Sequence, residues 1–194
     1  MVLNWLKNRA KKRHVAEKLY KIAAIHARHP VFYQRLMVPD SMSGRYELLC
    51  LHIFLLLERL RAENTDTSKK ISRSLTDILL EELEHAYRDN GFQDSSITEN
   101  IKKLIGGFYE RTVRYREAVQ SGNKTKLSNQ LNQYIFWNKS NETRQPEYIC
   151  AEHLALYILA AHAHLQTTSM KDITMGQFSF LSPVIDGDAT NPRL

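Results

Sequence analysis

At 194 residues, with 43% hydrophobic and 25% charged side chains, the chain has an ordinary globular composition and the length for one sizeable core. Its formal net charge of +6 is concentrated: residues 1–28 hold eight Lys and Arg against Glu17 alone, so the other 166 residues sum to −1. That pattern describes a basic arm on a near-neutral body. The long apolar run from Leu48 to Leu57 ends at Glu58-Arg59, well short of the roughly 20 residues a membrane-spanning helix needs.

The first segment carries two apolar stripes. As one helix, Leu3, Leu6 and Ala10 lie along one, and Val15, Leu19, Ile22 and His26 along another. At about 100° per residue, the step from Leu6 to Val15 puts the stripes on opposite sides. Val15 to His26 is therefore expected to pack on the body. Leu3, Trp5 and Leu6, with Lys7, Arg9, Lys11, Lys12 and Arg13, then form a basic amphipathic tip over residues 1–13. Such a tip suits an anionic membrane surface; a solvated, frayed terminus and binding to ribosomal RNA are the open alternatives. The basic cluster follows the apolar residues instead of preceding a long apolar region, unlike a secretory signal.

Next, Pro39 fixes a turn and Gly44 relieves it, so Arg45 and Tyr46 are expected at the exposed start of a core helix, beside Phe32-Tyr33. Aromatic residues beside an arginine dominate binding energy at many interfaces, which makes Phe32, Tyr33, Pro39, Asp40, Arg45 and Tyr46 candidate binding residues. The equal alternative is that the three aromatics cap the core and Arg45 pairs with Asp40 or Glu47. Leu48 to Leu60 reads as the central core helix, with His52 inside it.

Ile71, Leu75, Ile78, Leu79, Leu83, Ala86 and Tyr87 recur at helical spacing up to Gly91, predicting a surface helix over about 67–90. Ser96 and Glu99 match a capping box opening another, with Ile97, Ile101, Leu104, Phe108, Thr112, Tyr115 and Val119 on one face until Gly122-Asn123. Gly106-Gly107 falls inside it, where each glycine costs about 1 kcal/mol. A kink or a close backbone is expected there.

Leu127, Leu131 and Tyr134 mark a shorter helix, and a polar loop follows from Asn138 to Gln145. Pro146 then opens a last long helix with Ala151, Leu154, Ala155, Ile158 and Leu165 inward and Ala160-Ala161 allowing close packing. The alternation in Gln177-Phe-Ser-Phe-Leu181 suggests a short extended piece, and residues 186–194 a disordered tail. The expected architecture is all-α: a single compact domain of six to seven helices over residues 14–185, behind the N-terminal tip.

Chemistry is hard to find. Glu82-Leu-Glu-His85 matches one Glu-x-x-His unit of a di-iron bundle, which needs two such units and two more glutamates. His162 and His164 diverge by about 200° on a helix and cannot share a metal unaided. His52 reads as a core histidine bonded to a neighbouring carbonyl or carboxylate. Cys50 and Cys150 stand alone, as reduced, buried thiols. There is no G-x-S-x-G, P-loop or G-x-G-x-x-G. No catalytic residue, metal site or cofactor is expected.

The ordered motifs are more specific. His29-Pro-Val-Phe-Tyr33, Val38-Pro-Asp40, Gly44-Arg-Tyr-Glu-Leu-Leu49, Leu51-His52 and Arg59-Leu60, then Arg88-Asp-Asn-Gly91, Asp94, Lys102-Lys103, Phe108-Tyr-Glu-Arg111 and Tyr115, resemble the signature of the ubiquinol-cytochrome c chaperone family. This family holds bacterial relatives of the mitochondrial cytochrome b assembly factors. Glu110, where the family often has glycine, and Glu84, for a usual aspartate, depart from the pattern. The resemblance implies a non-enzymatic assembly factor that binds newly made or newly inserted cytochrome b during biogenesis of the bc1 complex. It implies no DNA partner. In mitochondrial relatives a small partner protein and the ribosome take part, and both are candidate partners here. A start at Met1 without an Arg/Ser-rich presequence leads us to expect the cytoplasmic face of a bacterial inner membrane, peripherally bound, or the matrix side in a eukaryote. The competing expectation is a helical adaptor for lipid or ribosome with no cytochrome b specificity.

Overall fold

The computed structural model describes residues 2–92, 94–136 and 145–183. Over these the chain is all-helical: α1 (Val2–His26), α2 (Pro30–Gln34), α3 (Met42–Glu63), α4 (Asp66–Asp89), α5 (Asp94–Gln120), α6 (Lys124–Leu131), α7 (Gln145–Thr167) and α8 (Met170–Met175). A single π-helical turn, Asn132–Phe136, prolongs α6. No strand occurs among the described residues.

The axis of the fold is α3. Leu48, Leu51, Ile53, Leu55, Leu56 and Leu60 are fully buried, on every side of the helix. A helix apolar all round must be enclosed, and α1, α4, α5 and α7 enclose it. By contrast α4 buries one stripe, Ile71, Leu75, Ile78 and Leu79, and leaves its charged side to solvent. The two are joined by a tight corner in which Asn64 takes the left-handed conformation (φ 52°). Thr65 then caps α4 in a reciprocal box with Ser68.

The helix α1 is continuous and docks through Ala16, Leu19, Ala23 and Ala27, a stripe of mostly small side chains that lets the helix lie close to α3 and α4. Ahead of that stripe, Arg13 forms a two-pronged pair with Glu81 of α4, the Nη1 bond being 3.1 Å. Ala151, Leu154, Ala155, Ile158, Ala161 and Leu165 of α7 are fully buried, as their spacing predicts, whereas Ala160 is exposed.

Three expectations need correction. Because α5 starts at Asp94, Ser96 and Glu99 lie inside its first turns and are not its cap. Gly106 and Gly107 sit in an uninterrupted helix, and among the described residues no foreign backbone passes either of them. Among the described residues the helices number eight, because α2 and α8 are too short to show periodicity. Residues 177–183, read as a short extended piece, are neither helix nor strand, and Phe180 is buried in the core. The expected tail, 186–194, and loop residues 138–144 lie outside the described residues.

Candidate functional site

The turn between α2 and α3 is built by close approach. The ring of Pro30 starts α2, and His29 Nδ1 caps it by accepting the Val31 N–H at 3.3 Å. The chain then reverses through Met37, in the left-handed region at φ 54°. Val38 tucks inward, its N–H donating to the Phe32 carbonyl at 3.0 Å. Pro39 passes directly over the first turn of α3. A Cβ on Gly44 would stand 2.0 Å from the Pro39 carbonyl oxygen, so only glycine fits there. Ser41 caps the helix by accepting the Gly44 N–H at 3.2 Å. Arg45 reaches back and donates to Asp40 Oδ1 at 2.7 Å.

The six candidates divide by depth. Pro39, Asp40 and Arg45 are exposed, Tyr33 is half-buried with its hydroxyl on the Ala27 carbonyl (2.9 Å), and Phe32 is fully buried. Of the two level alternatives, exposure of Tyr46 beside Arg45 does not hold: Tyr46 is buried and Arg45 pairs with Asp40, as the core-capping alternative has it. Neighbours on a helix point about 100° apart, and with Arg45 turned to solvent Tyr46 turns inward, its hydroxyl donating to the Leu104 carbonyl of α5 at 2.9 Å. The surface residues that the sequence reading missed are Met37 and Met42, 61% and 51% exposed on either side of Pro39-Asp40. Flexible, polarizable methionines suit irregular apolar partners, and their spacing around a proline turn was the available signal.

Beneath the turn, Glu47 of α3 pairs with Arg111 of α5 at 2.8 Å, both largely buried. A Cβ on Gly107 would lie 2.6 Å from Arg111 Nη1, so the missing side chain makes the slot for the guanidinium. Tyr134 covers its other side, 4.8 Å from ring centroid to guanidinium carbon. Burial pushes the Glu47 carboxyl up to about 7 against the pull of Arg111. Desolvation also raises the buried Cys50 thiol and the Tyr46 and Tyr115 hydroxyls, keeping all three neutral.

His52 and His26 belong to the core packing. His52 is fully buried and its Nδ1 lies 2.7 Å from the Leu48 carbonyl, as expected of a core histidine. With Nδ1–H donating there, Nε2 accepts from the Tyr157 hydroxyl (2.9 Å), whose oxygen accepts from His26 Nε2–H at 3.0 Å. Phe32 and Phe180 pack edge-on to the His52 ring. Burial holds His52 down to about 3 and His26 to about 4, so both stay neutral. Glu82 and His85 are exposed on α4, and no three His, Cys, Asp or Glu converge among the described residues. Cys50 and Cys150 are unbridged, the first buried and the second half-buried.

At the tip, Arg9 and Lys11 are exposed and Lys12 is half-buried. Arg13 is bound to Glu81 and, at 3.4 Å, to Glu17, so it belongs to the α1–α4 joint. Leu3, Trp5, Leu6 and Lys7 fall in the first turns of α1, and their side chains lie outside the described residues. Among the described residues no helix is long and apolar enough to cross a membrane.

The turn between α2 and α3 thus presents Met37, Met42 and Arg45 at the surface of a body that is all-helical over the described residues. Over residues 34–180 the sequence matches the profile of the ubiquinol-cytochrome C chaperone family, and the chain belongs to that family. It is 25% identical over 118 residues to the mouse ubiquinol-cytochrome c reductase complex assembly factor 1, an alignment covering 61% of this chain and 39% of that protein. The chain thus spans about two-fifths of the mouse relative's length. Its structure superimposes on the crystal structure of the Cbp3 homolog from Brucella abortus with a TM-score of 0.79 at 26% identity, covering 94% of this chain and 98% of the other.

Proposed function

We propose that this protein is a non-enzymatic assembly factor for ubiquinol-cytochrome c reductase that binds newly made cytochrome b at a membrane surface until other subunits join. The observation that carries the reading is the turn Met37 to Arg45. It is presented by a chain that belongs to the ubiquinol-cytochrome C chaperone family, and its shape is fixed by the Pro39–Gly44 contact. Met37 and Met42 offer adaptable apolar contact to a hydrophobic client, and the Arg45–Asp40 pair gives it a polar edge.

Membrane attachment is assigned to residues 1–12, on the cytoplasmic side of a bacterial inner membrane or the matrix side of a mitochondrion. Concentrating the chaperone where its client leaves the insertion machinery raises effective concentration without any new contact. Supporting this, Arg9 and Lys11 are exposed in the described part of the tip, and Arg13 joins α1 to α4 through Glu81.

The test is co-purification of cytochrome b with the wild-type protein and with a Met37→Ser/Met42→Ser/Arg45→Ala variant, in cells that make the complex. Retention of cytochrome b by wild type and its loss from the variant is the expected result. Equal recovery from both would reject the turn as client surface. Absence of cytochrome b from the wild-type sample would favour a general lipid or ribosome adaptor. Removal of residues 1–12, leaving the Arg13–Glu81 joint intact, should abolish co-sedimentation with phosphatidylglycerol vesicles while the far-ultraviolet circular dichroism stays helical.

A further inference from the structure

On the face formed by α3, α4 and α5 lies an open cleft of about 440 Å³. Its floor is apolar, with Leu57 and Leu60 from α3, Leu80 from α4 and Phe108 from α5. The rims are cationic: Arg61, Lys69, Arg73 and Arg116 line the cleft, and Asp77 is the one carboxylate among the lining residues. Just below, the buried Glu58 is shared by Arg61 at 2.9 Å and Arg116 at 2.8 Å, which fixes the two guanidinium groups in place. Counting Glu58, the cleft keeps an excess of two positive charges on a body that is otherwise near neutral.

We propose that this cleft is a docking groove for an acidic amphipathic helix of a partner protein. Lys69 and Arg73 stand one turn apart on α4, exposed and paired with no carboxylate among the described residues. They form a row that matches acidic side chains spaced four residues apart. Facing them on α5, Tyr109 lines the cleft and is 53% exposed. Tyrosine and arginine flanking an apolar trough is the composition of an interface centre. Thr112, only 6% exposed, also lines the cleft with its hydroxyl unpartnered, a polar group for which an occupant can supply the missing bond. An apolar floor between charged rims is the geometry of helix-in-groove recognition. The rim charge selects a helix whose flanks are acidic. This inference stands apart from the client turn, which lies at the other end of α3, and holds whatever the client is.

The test uses the full chain and two synthetic helical peptides with one leucine face, flanked by glutamate in the first and by lysine in the second, read by fluorescence anisotropy. The glutamate peptide should bind at least tenfold more tightly than the lysine peptide, and more weakly as salt is raised. Lys69→Glu/Arg73→Glu should reverse that preference and Tyr109→Ala should weaken binding of the glutamate peptide, with thermal melts unchanged because all three side chains are exposed. If charge reversal disturbs the melt, Lys69→Ala/Arg73→Ala carries the same test. Equal binding of the two peptides, or affinity indifferent to these substitutions, overturns the proposal. So does co-sedimentation with phosphatidylglycerol vesicles that depends on Lys69 and Arg73 while neither peptide binds, because the groove would then serve lipid.

Discussion

Arg45 and Glu47 are two residues apart on α3, and each is half of an arginine–carboxylate pair, yet the two pairs live in opposite surroundings. The side chains of Arg45 and Asp40 are 61% and 58% exposed, those of Arg111 and Glu47 18% and 4%. Two residues turn a helix by about 200°, so one pair faces water over the α2–α3 turn and the other faces the α3–α5 seam. An exposed pair is worth about 0–1 kcal/mol. Breaking a buried pair by removing one partner costs about 3–5 kcal/mol, because a charge is left without compensation. The same chemistry therefore holds the fold together at Glu47 and shapes a surface at Arg45.

The sharpest way to break this contrast is Arg111→Ala, which leaves the Glu47 carboxyl alone in the seam. The expected loss, from urea unfolding at pH 9, above the raised Glu47 value so that the carboxyl must ionise or hold a proton against the solvent, is about 3–5 kcal/mol. Glu47→Gln combined with Arg111→Met should recover most of it, since no lone charge remains. A loss below about 1 kcal/mol for the single variant would put the buried pair on a par with the exposed one. Next in size is Gly44→Ala. Its Cβ would collide with the Pro39 carbonyl at 2.0 Å, a backbone atom that cannot swing aside. Overpacking of this kind costs about 1–3 kcal/mol, against about 1 kcal/mol gained from alanine inside a helix. A lowered melting temperature is expected; a raised one would mean that the turn shifts freely and is not held by this contact.

The sequence revealed the long helices and little of the turn's depth. The α4 and α7 stripes were legible because each faces the core along a regular spacing, and Ala151 to Leu165 are buried where that spacing puts them. The histidine at 52 was legible for the same reason, as a polar residue deep in an apolar run. The depth of Tyr46 was not legible because α3 is buried on nearly every side, so no polar face marks which neighbour points outward. Gly107 was misread because its purpose is a side chain of the same helix, Arg111, four residues on. The charge excess of the cleft was invisible because Arg61, Lys69, Arg73 and Arg116 come from three helices of an evenly balanced body.

The protonation of the seam and of the histidine network can be separated by pH. His52 and His26 are held at about 3 and about 4, below the ordinary 6.5. The unfolded chain therefore takes up protons near pH 6.5 that the folded chain refuses, and this contribution to stability is full above 6.5 and falls as the pH drops towards 4. Glu47 acts in the other direction. With its carboxyl raised from 4.5 to about 7, the folded chain keeps a proton that the unfolded chain releases, so its contribution is full below 4.5 and is lost as the pH rises through 7. Between pH 4.5 and 6.5 the two effects oppose. Glu47→Gln should steepen the loss of stability on acidification by up to about 1.4 kcal/mol per pH unit, read from urea midpoints at pH 5, 5.5, 6 and 6.5. Parallel profiles for variant and wild type would mean that Arg111 keeps Glu47 ionised throughout.

The smallest effect on stability belongs to the exposed pair, and it separates presentation from packing most cleanly. Arg45→Ala removes a bond whose partners are both more than half exposed, so the change in unfolding free energy is expected within about 1 kcal/mol. Tyr46→Phe, one residue on, leaves the surface as it is and deletes the 2.9 Å bond to the Leu104 carbonyl, at a cost of about 0.5–1.5 kcal/mol. If the turn is the client surface, the first variant weakens cytochrome b retention on the order of tenfold, the cost of an interface residue that matters, and the second leaves it unchanged. The reverse result, retention lost with Tyr46→Phe and kept with Arg45→Ala, would move the client from the turn to the α3–α5 seam. Glu47 and Arg111 would then be its nearest charged neighbours.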